Sequence, residues 1–439
     1  MIDRNSIEKT IFYLGIVGIF FLPFSLSLTQ GFLYLSCISL TVYLVFNKIS
    51  FFDKESLKIL LVFLIFYFWI YISNLLNSKF SLESIKDFFL IFFGIWSYYF
   101  VQTKYKETLL KYLKIVFFFF LAIGIISSFL PFRLSNLFYH LLHGFNFDAK
   151  YRAQHLLFSF PFGSWNFENT ILPFGIYMPV GFTGTHLSFG SMISLISLFF
   201  SYRFFKIPSL KNFIFLFAFF VILILSHARS AMFGFLLTLT FLFFIFGFKK
   251  ISLKKLILFA IFLLFLLLMY SFLPEKIKEI LPALKKHTDY QRIFLWYLSI
   301  EVFLKNPLVG VGTFNYSDRI FEQILLTVQK KPDLWYPLYQ IETVHAHNDL
   351  IFFAVGSGIP GILLFFSIFY QKFRWINFNF LKLKKMENEN NFFLVFLLLP
   401  VYLLFAGMFQ CFFLDDYTMQ MYWLFYGIGM GIAKTYFIK

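Results

Sequence analysis

The chain has 439 residues, of which 60% are hydrophobic and only 14% charged, and phenylalanine alone supplies 74. Soluble domains carry about 25% charged residues, and large apolar patches facing water drive aggregation, so a soluble enzyme, a disulfide scaffold, a disordered chain and a coiled coil are all excluded. The net charge of +16 points first to membrane topology rather than to nucleic acid, because membrane proteins concentrate Lys and Arg on the cytoplasmic side.

Continuous apolar runs fall at 10–27, 30–47, 58–76, 85–102, 112–130, 185–202, 211–226, 230–248, 256–273, 348–371, 392–410 and 418–434. Each is about the length a helix needs to cross the hydrocarbon, whereas a β-barrel would show shorter alternating segments. The sequence therefore predicts an all-α polytopic membrane protein with about 12 transmembrane helices. No small-residue cleavage site follows the first run, which reads as a retained span rather than a signal peptide. Placing the N-terminus inside collects Arg4, Lys9, Lys48, Lys54, Lys58, the lysines of 104–114, Arg203, Lys206, Lys211, the lysines of 249–255, Lys372, Arg374, the lysines of 382–385, Lys434 and Lys439 on the inner side. Both termini are then inside. The expected organisation is spans 1–5 over 1–130, a first long periplasmic segment over 131–184 and spans 6–9 over 185–273. A large helical periplasmic loop over 274–347 and spans 10–12 over 348–439 follow.

The long outer segments are where polar, irregular backbone can sit at the membrane surface and carry function. All eight histidines, at 140, 143, 155, 186, 227, 287, 345 and 347, fall on the outer face or at the outer ends of spans. Imidazole is a natural proton carrier near neutral pH. Ser226-His227-Ala228-Arg229-Ser230 lies at the junction of spans 7 and 8. Arg229 reads either as a turn residue reaching the interface or as a fixed cation at a cavity mouth, where a guanidinium matches phosphate oxygens. Arg292 opens an amphipathic helix running to Asn306-Pro307, and reads either as a solvated charge or as a second cation of the site. Gly310 and Gly312 follow no strand and suit a tight backbone turn rather than a dinucleotide loop. Val344-His345-Ala346-His347-Asn348-Asp349 stands where the chain re-enters the membrane. His347 suits a general base or hydrogen-bond donor, and Asn348 or Asp349 a helix cap. Metal-ligand spacing is lacking, Cys37 and Cys411 form no metal motif, and Asp415-Asp416 reads as a solvated turn. No metal and no cofactor are expected.

The run over about 211–371 resembles the O-antigen ligase and polymerase superfamily. Four features carry the resemblance in order: Arg229-Ser230 opening an apolar span; Arg292 and Trp296 before Asn306, Pro307, Gly310 and Gly312; a long outer loop; and His347-Asn348, nine intervening residues, then Gly358 and Gly361. The last is similar to the ligase signature in particular, while the first 200 residues match by topology alone. The resemblance implies a bacterial inner-membrane protein acting at the periplasmic face. It implies transfer of a glycan from undecaprenyl pyrophosphate to a hydroxyl acceptor, for a ligase a sugar of the lipid A core. His347 is then the catalytic residue, with Arg229, Arg292, His345 and Asn348 binding substrate. The partners are the lipid-linked donor, the acceptor and membrane lipid, with no nucleic acid. An O-antigen polymerase or a protein O-oligosaccharyltransferase shares the same core. A lipid-linked sugar transporter would favour related halves and charges at the bilayer midplane, which the sequence lacks.

Overall fold

The computed structural model describes residues 4–49, 54–79, 88–145, 153–167, 170–245, 291–334, 338, 341, 343–379 and 392–437. The expected span at 256–273, the start of the long loop at 274–290 and the lysines at 249–255 and 382–385 lie outside the described residues. The other expected apolar runs fall on helices. These are α1 (Arg4–Phe21), α2 (Leu26–Phe46), α3 (Lys54–Leu76), α4 (Ile91–Phe100) and α5 (Lys106–Phe129). A short α6 (Leu137–His143) is followed after a gap by α7 (His186–Lys206), α8 (Leu210–Leu225) and α9 (Arg229–Ile245). Then come α10 (291–305), α11 (Tyr316–Lys330), α12 (Asp349–Phe378), α13 (Leu399–Gly407) and α14 (Asp416–Phe437). Five of them, α2, α3, α5, α7 and α12, are long and apolar enough to cross a membrane. The shorter apolar helices include α4, α8 and α9.

The core is centred on α7, which packs against α8, α9 and α14, while α14 also packs on α4 and α12 on α3. Serines at 188, 191, 194, 197 and 201 let neighbours approach α7 closely. Their hydroxyls are satisfied within the bundle: Ser194, Ser197 and Ser201 donate to carbonyls one turn back at 2.6–2.8 Å, and Ser191 pairs with the Tyr402 hydroxyl at 2.9 Å. Lys372, expected among the inner-side charges, has a fully buried side chain near the end of α12. Its ammonium lies 4.8–4.9 Å from the ring centroids of Tyr422, Trp423 and Tyr426, which offset its desolvation by cation–π attraction.

The all-α expectation needs correction. Residues Leu156–Phe167 (β1) and Thr170–Tyr177 (β2) form an antiparallel hairpin, with an irregularity between Ser159 and Ser164. The segment is rich in Phe, Trp, Ile and Tyr, residues suited to a pleated, half-exposed surface, and is too short and too interrupted to read as a span. Its base is tied to the end of α5. The Ser127 hydroxyl accepts from the backbone N–H groups of Val180 and Gly181 at 3.1 Å each, and Gln154 donates to the Phe132 carbonyl at 3.0 Å.

One break decides how the segment after α10 sits. Helix α12 departs from helical geometry at Gly358 (φ 66°, ψ −167°), just before Pro360, which has no N–H to offer. The backbone groups so released pair with the segment after α10. Val311 N–H donates to Val355 C=O and Gly312 N–H to Gly356 C=O, both at 2.9 Å, and Ile359 N–H donates to Pro307 C=O at 2.8 Å. Helix α3 fastens the joint: Ser73 Oγ donates to the carbonyls of Val309 and Gly356 at 2.7 Å, and Trp69 Nε1 to that of Ser357 at 2.8 Å. Gly310 has φ +75°, and a Cβ there would lie 2.6 Å from the backbone of Gly356 and Ser357. The expected tight turn is thus a docking strip. Gly310→Ala should lower stability by about 2 kcal/mol or more, from left-handed strain plus the clash. Gly31→Ala, at an open position of α2, should leave the melting temperature unchanged or higher; equal melting temperatures for both variants would refute this account of the joint.

Candidate functional site

The site is assembled at the end of the bundle where α12 begins. Asn348 caps α12: its Oδ1 accepts from Ile351 N–H at 3.0 Å, and its Nδ2 donates to Met408 C=O at 2.8 Å. The expected cap is therefore Asn348, and both ends of its amide are engaged within the protein. Asp349, next in chain, accepts from Phe413 N–H. These bonds zip residues 348–349 to the turn at 408–413. Interlocked rings of Phe66, Phe353, Phe365 and Phe413, with centroids 5.1–5.7 Å apart along the cluster, hold that turn against α3 and α12.

His347 precedes the cap with φ +50°, an uncommon conformation for a residue with a side chain. Its Nδ1 lies 3.0 Å from Gln410 Oε1. An amide oxygen accepts, so this contact places the ring proton on Nδ1 and the basic lone pair on Nε2. The His345 ring stands edge-on, 4.4 Å away between centroids. Trp296 of α10 donates from Nε1 to Ala346 C=O at 2.8 Å. Arg292, one turn earlier on the same helix face, donates from Nη1 to Phe409 C=O at 3.3 Å. The spacing of Arg292 and Trp296 thus sets one helix face against the segments carrying His347 and Gln410.

Arg229 opens α9, and Phe233, one turn on, packs edge-to-face on Phe409 at 5.1 Å. Three segments far apart in sequence therefore meet the 408–410 turn: the start of α9, the start of α10 and the residues before α12. Gln410 was not foreseen from the sequence, because a glutamine between aromatics carries no motif; only its contact with His347 reveals it.

A second group gathers beside these residues. His186, at the start of α7, lies within electrostatic reach of His155, His227, Arg133 and Arg292. The confinement of histidines to outer segments was the sequence signal for this group, although it did not say which would meet. Arg133 also donates to Gly184 C=O at 3.1 Å. His227 has φ +53°. Burial, with His155 and Arg229 nearby, pushes its imidazole below the ordinary value. Asp415, expected in a solvated turn, accepts from Thr418 Oγ1 at 2.6 Å and from Tyr417 N–H at 3.2 Å. It caps α14, and burial pushes its carboxyl up. Among the described residues, no three His, Cys, Asp or Glu side chains come together as a metal site.

Long apolar helices with polar side chains gathered where α12 begins define a multi-pass helical membrane protein. The family model described as O-antigen ligase matches residues 213–366. The matched segment runs from α8 into α12 and includes Arg229, Arg292, His345, His347 and Asn348, but not Gln410. Comparison with curated proteins gives no match.

The lowered pKa of His227 has a consequence for stability. Unfolded, this imidazole takes up a proton near 6.5, and folded only at lower pH. Protonation then favours the unfolded chain, and stability falls as pH drops below about 6.5. Asn is neutral throughout and tolerates positive φ. His227→Asn should therefore lose less melting temperature than the parent between about pH 7.5 and about pH 5.5. Equal losses would assign the acid sensitivity to other groups.

Proposed function

We propose that this protein is a membrane glycosyltransferase that moves a glycan from undecaprenyl pyrophosphate to a hydroxyl acceptor, joining O-antigen to the lipid A core in lipopolysaccharide assembly. We place it in the bacterial inner membrane with twelve spans, both termini inside and the site on the periplasmic face, as the distribution of basic residues supports. The observation that carries the reading is the meeting of Arg292 and His347 at adjacent residues of one turn, Phe409 and Gln410, with the first turn of α9 packed on Phe409.

In this reading His347, oriented by Gln410, accepts the proton of the attacking hydroxyl at Nε2. The hydroxyl oxygen bonds to the anomeric carbon as the bond from that carbon to the pyrophosphate oxygen breaks. The departing lipid pyrophosphate gains negative charge, which Arg229 and Arg292 hold with permanently charged, forked donors. His345 contacts the acceptor, and Asn348 keeps His347 in register through its cap. The chemistry needs no divalent cation, because the guanidiniums supply the charge.

In an assay with purified protein, lipid-linked donor and lipid A core acceptor, His347→Ala should lower transfer by about 10²- to 10⁴-fold, with donor binding retained. Lysine at Arg229 or Arg292 should also impair transfer, because a point charge cannot make the paired contact. Near-full activity of His347→Ala would remove the proposed base, and neutral arginine variants would make those residues surface charges. The same assay in excess EDTA should run at the same rate; loss in chelator with recovery in Mg²⁺ or Mn²⁺ would overturn the arginine-only account of the leaving group.

A further inference from the structure

A cleft of about 590 Å³ lies between α10 and α11, with Leu334 and Leu338 completing its lining. Its volume is in the range of small-molecule sites. Along α10, Tyr297, Glu301 and Lys305 stand on successive turns of the wall. Across from them, Gln323 of α11 is buried and joins the row: its Nε2 donates to Glu301, and its Oε1 accepts from Lys305 Nζ at 2.6 Å. The Tyr297 hydroxyl hydrogen-bonds Glu301 as well. Four polar side chains from two helices are thus linked in advance of any ligand. Lys330 and Lys331 also line the cleft, so its lining carries three lysines against one carboxylate. Ile293, Phe294, Leu298, Leu326 and Leu334 supply apolar surface beside this row.

Such a lining does not suit an acyl chain, which would make no use of the polar row and would cover the charges of Lys330 and Lys331 at a desolvation cost. It suits a sugar, whose ring faces present C–H groups to aromatic and aliphatic side chains while its edges present hydroxyls to carboxylate, amide and ammonium. The excess of lysine selects a sugar carrying negative charge. The cleft begins at Ile293, next in chain to Arg292, and follows α10 for about 18 Å to Lys305.

We propose that this cleft binds an acidic saccharide, phosphorylated or carboxylated, and that it is the part of the acceptor remote from the reacting hydroxyl. The word acceptor rests on the function proposed above; the binding of an acidic saccharide does not. The donor is held by its pyrophosphate at Arg229 and Arg292, so the cleft is left to the partner that brings the hydroxyl.

The test uses the full chain in lipid nanodiscs and, as probe, the phosphorylated core oligosaccharide freed of its lipid, alongside the same oligosaccharide after dephosphorylation. The phosphorylated probe should bind at least ten-fold more tightly than the dephosphorylated one. The double variant Lys330→Ala/Lys331→Ala, at exposed positions, should weaken its binding at least ten-fold, and Tyr297→Ala should weaken both probes. His347→Ala should bind the probe as the parent does, which separates a failure of the cleft from a failure of the proposed chemistry. Equal binding of the two probes, or parental affinity in the lysine and tyrosine variants, overturns the proposal. In the transfer assay the cleft variants should raise KM for the acceptor; a rise confined to the donor's KM overturns the acceptor assignment.

Discussion

The arrangement of the end of the bundle where α12 begins depends on a broken helix whose peptide groups are repaired by a neighbouring strip of chain. Inside a bilayer, a backbone N–H or C=O without a partner costs several kcal/mol. Helix α12 stops satisfying its own groups at Gly358, and residues 307–312 take over through three backbone hydrogen bonds. The contact is backbone against backbone, so glycine is required on both sides: a Cβ at Gly310 would strike Gly356 and Ser357, and one at Gly358 would strike Leu308 and Pro307. The spacing of Asn306, Pro307, Gly310 and Gly312 and that of Gly358 and Gly361 are two halves of one joint. With the strip docked there and Ser73 and Trp69 fastening it, the end of α10 is fixed, and Trp296 can reach Ala346.

The second fixed element is the turn after α13. It offers two carbonyls, at Met408 and Phe409, and one side-chain amide, at Gln410, to Asn348, Arg292 and His347 respectively. Its own position follows from Phe413 and Asp349, so His347, the Gln410 amide and the Arg292 guanidinium are all referred to the start of α12. His347 and His227 both hold positive φ, and strain of this kind is retained where the surroundings over-determine the backbone. The groups acting on His186 are all basic: His155, His227, Arg133 and Arg292. Basic groups brought together in this way disfavour one another's charged forms, and any anion seated among them would relieve that repulsion.

The hairpin of β1 and β2 gives that basic group its outer wall. The backbone of His155 at the foot of β1 bonds to Met178 after β2, so pairing of the two strands brings His155 back toward the start of α7, where His186 stands. A loop of the same length without strand pairing would leave that distance undefined.

The sequence by itself determined the class, the helical runs and the residue types gathered at the candidate site. Apolar runs of bilayer length leave the backbone no alternative but helix, and a permanent guanidinium or an imidazole keeps its chemistry wherever it is placed. The helix cap at Asn348, the helix face shared by Arg292 and Trp296 and the turn-forming glycines are local properties, read from spacing alone. Three things were decided only by tertiary structure. The hairpin at 156–177 depends on pairing between segments that carry no span signal. The burial of Lys372 depends on three rings from α14. The partner of His347 is Gln410, 63 residues away, and no local pattern announces a contact made by folding α13 back against α12.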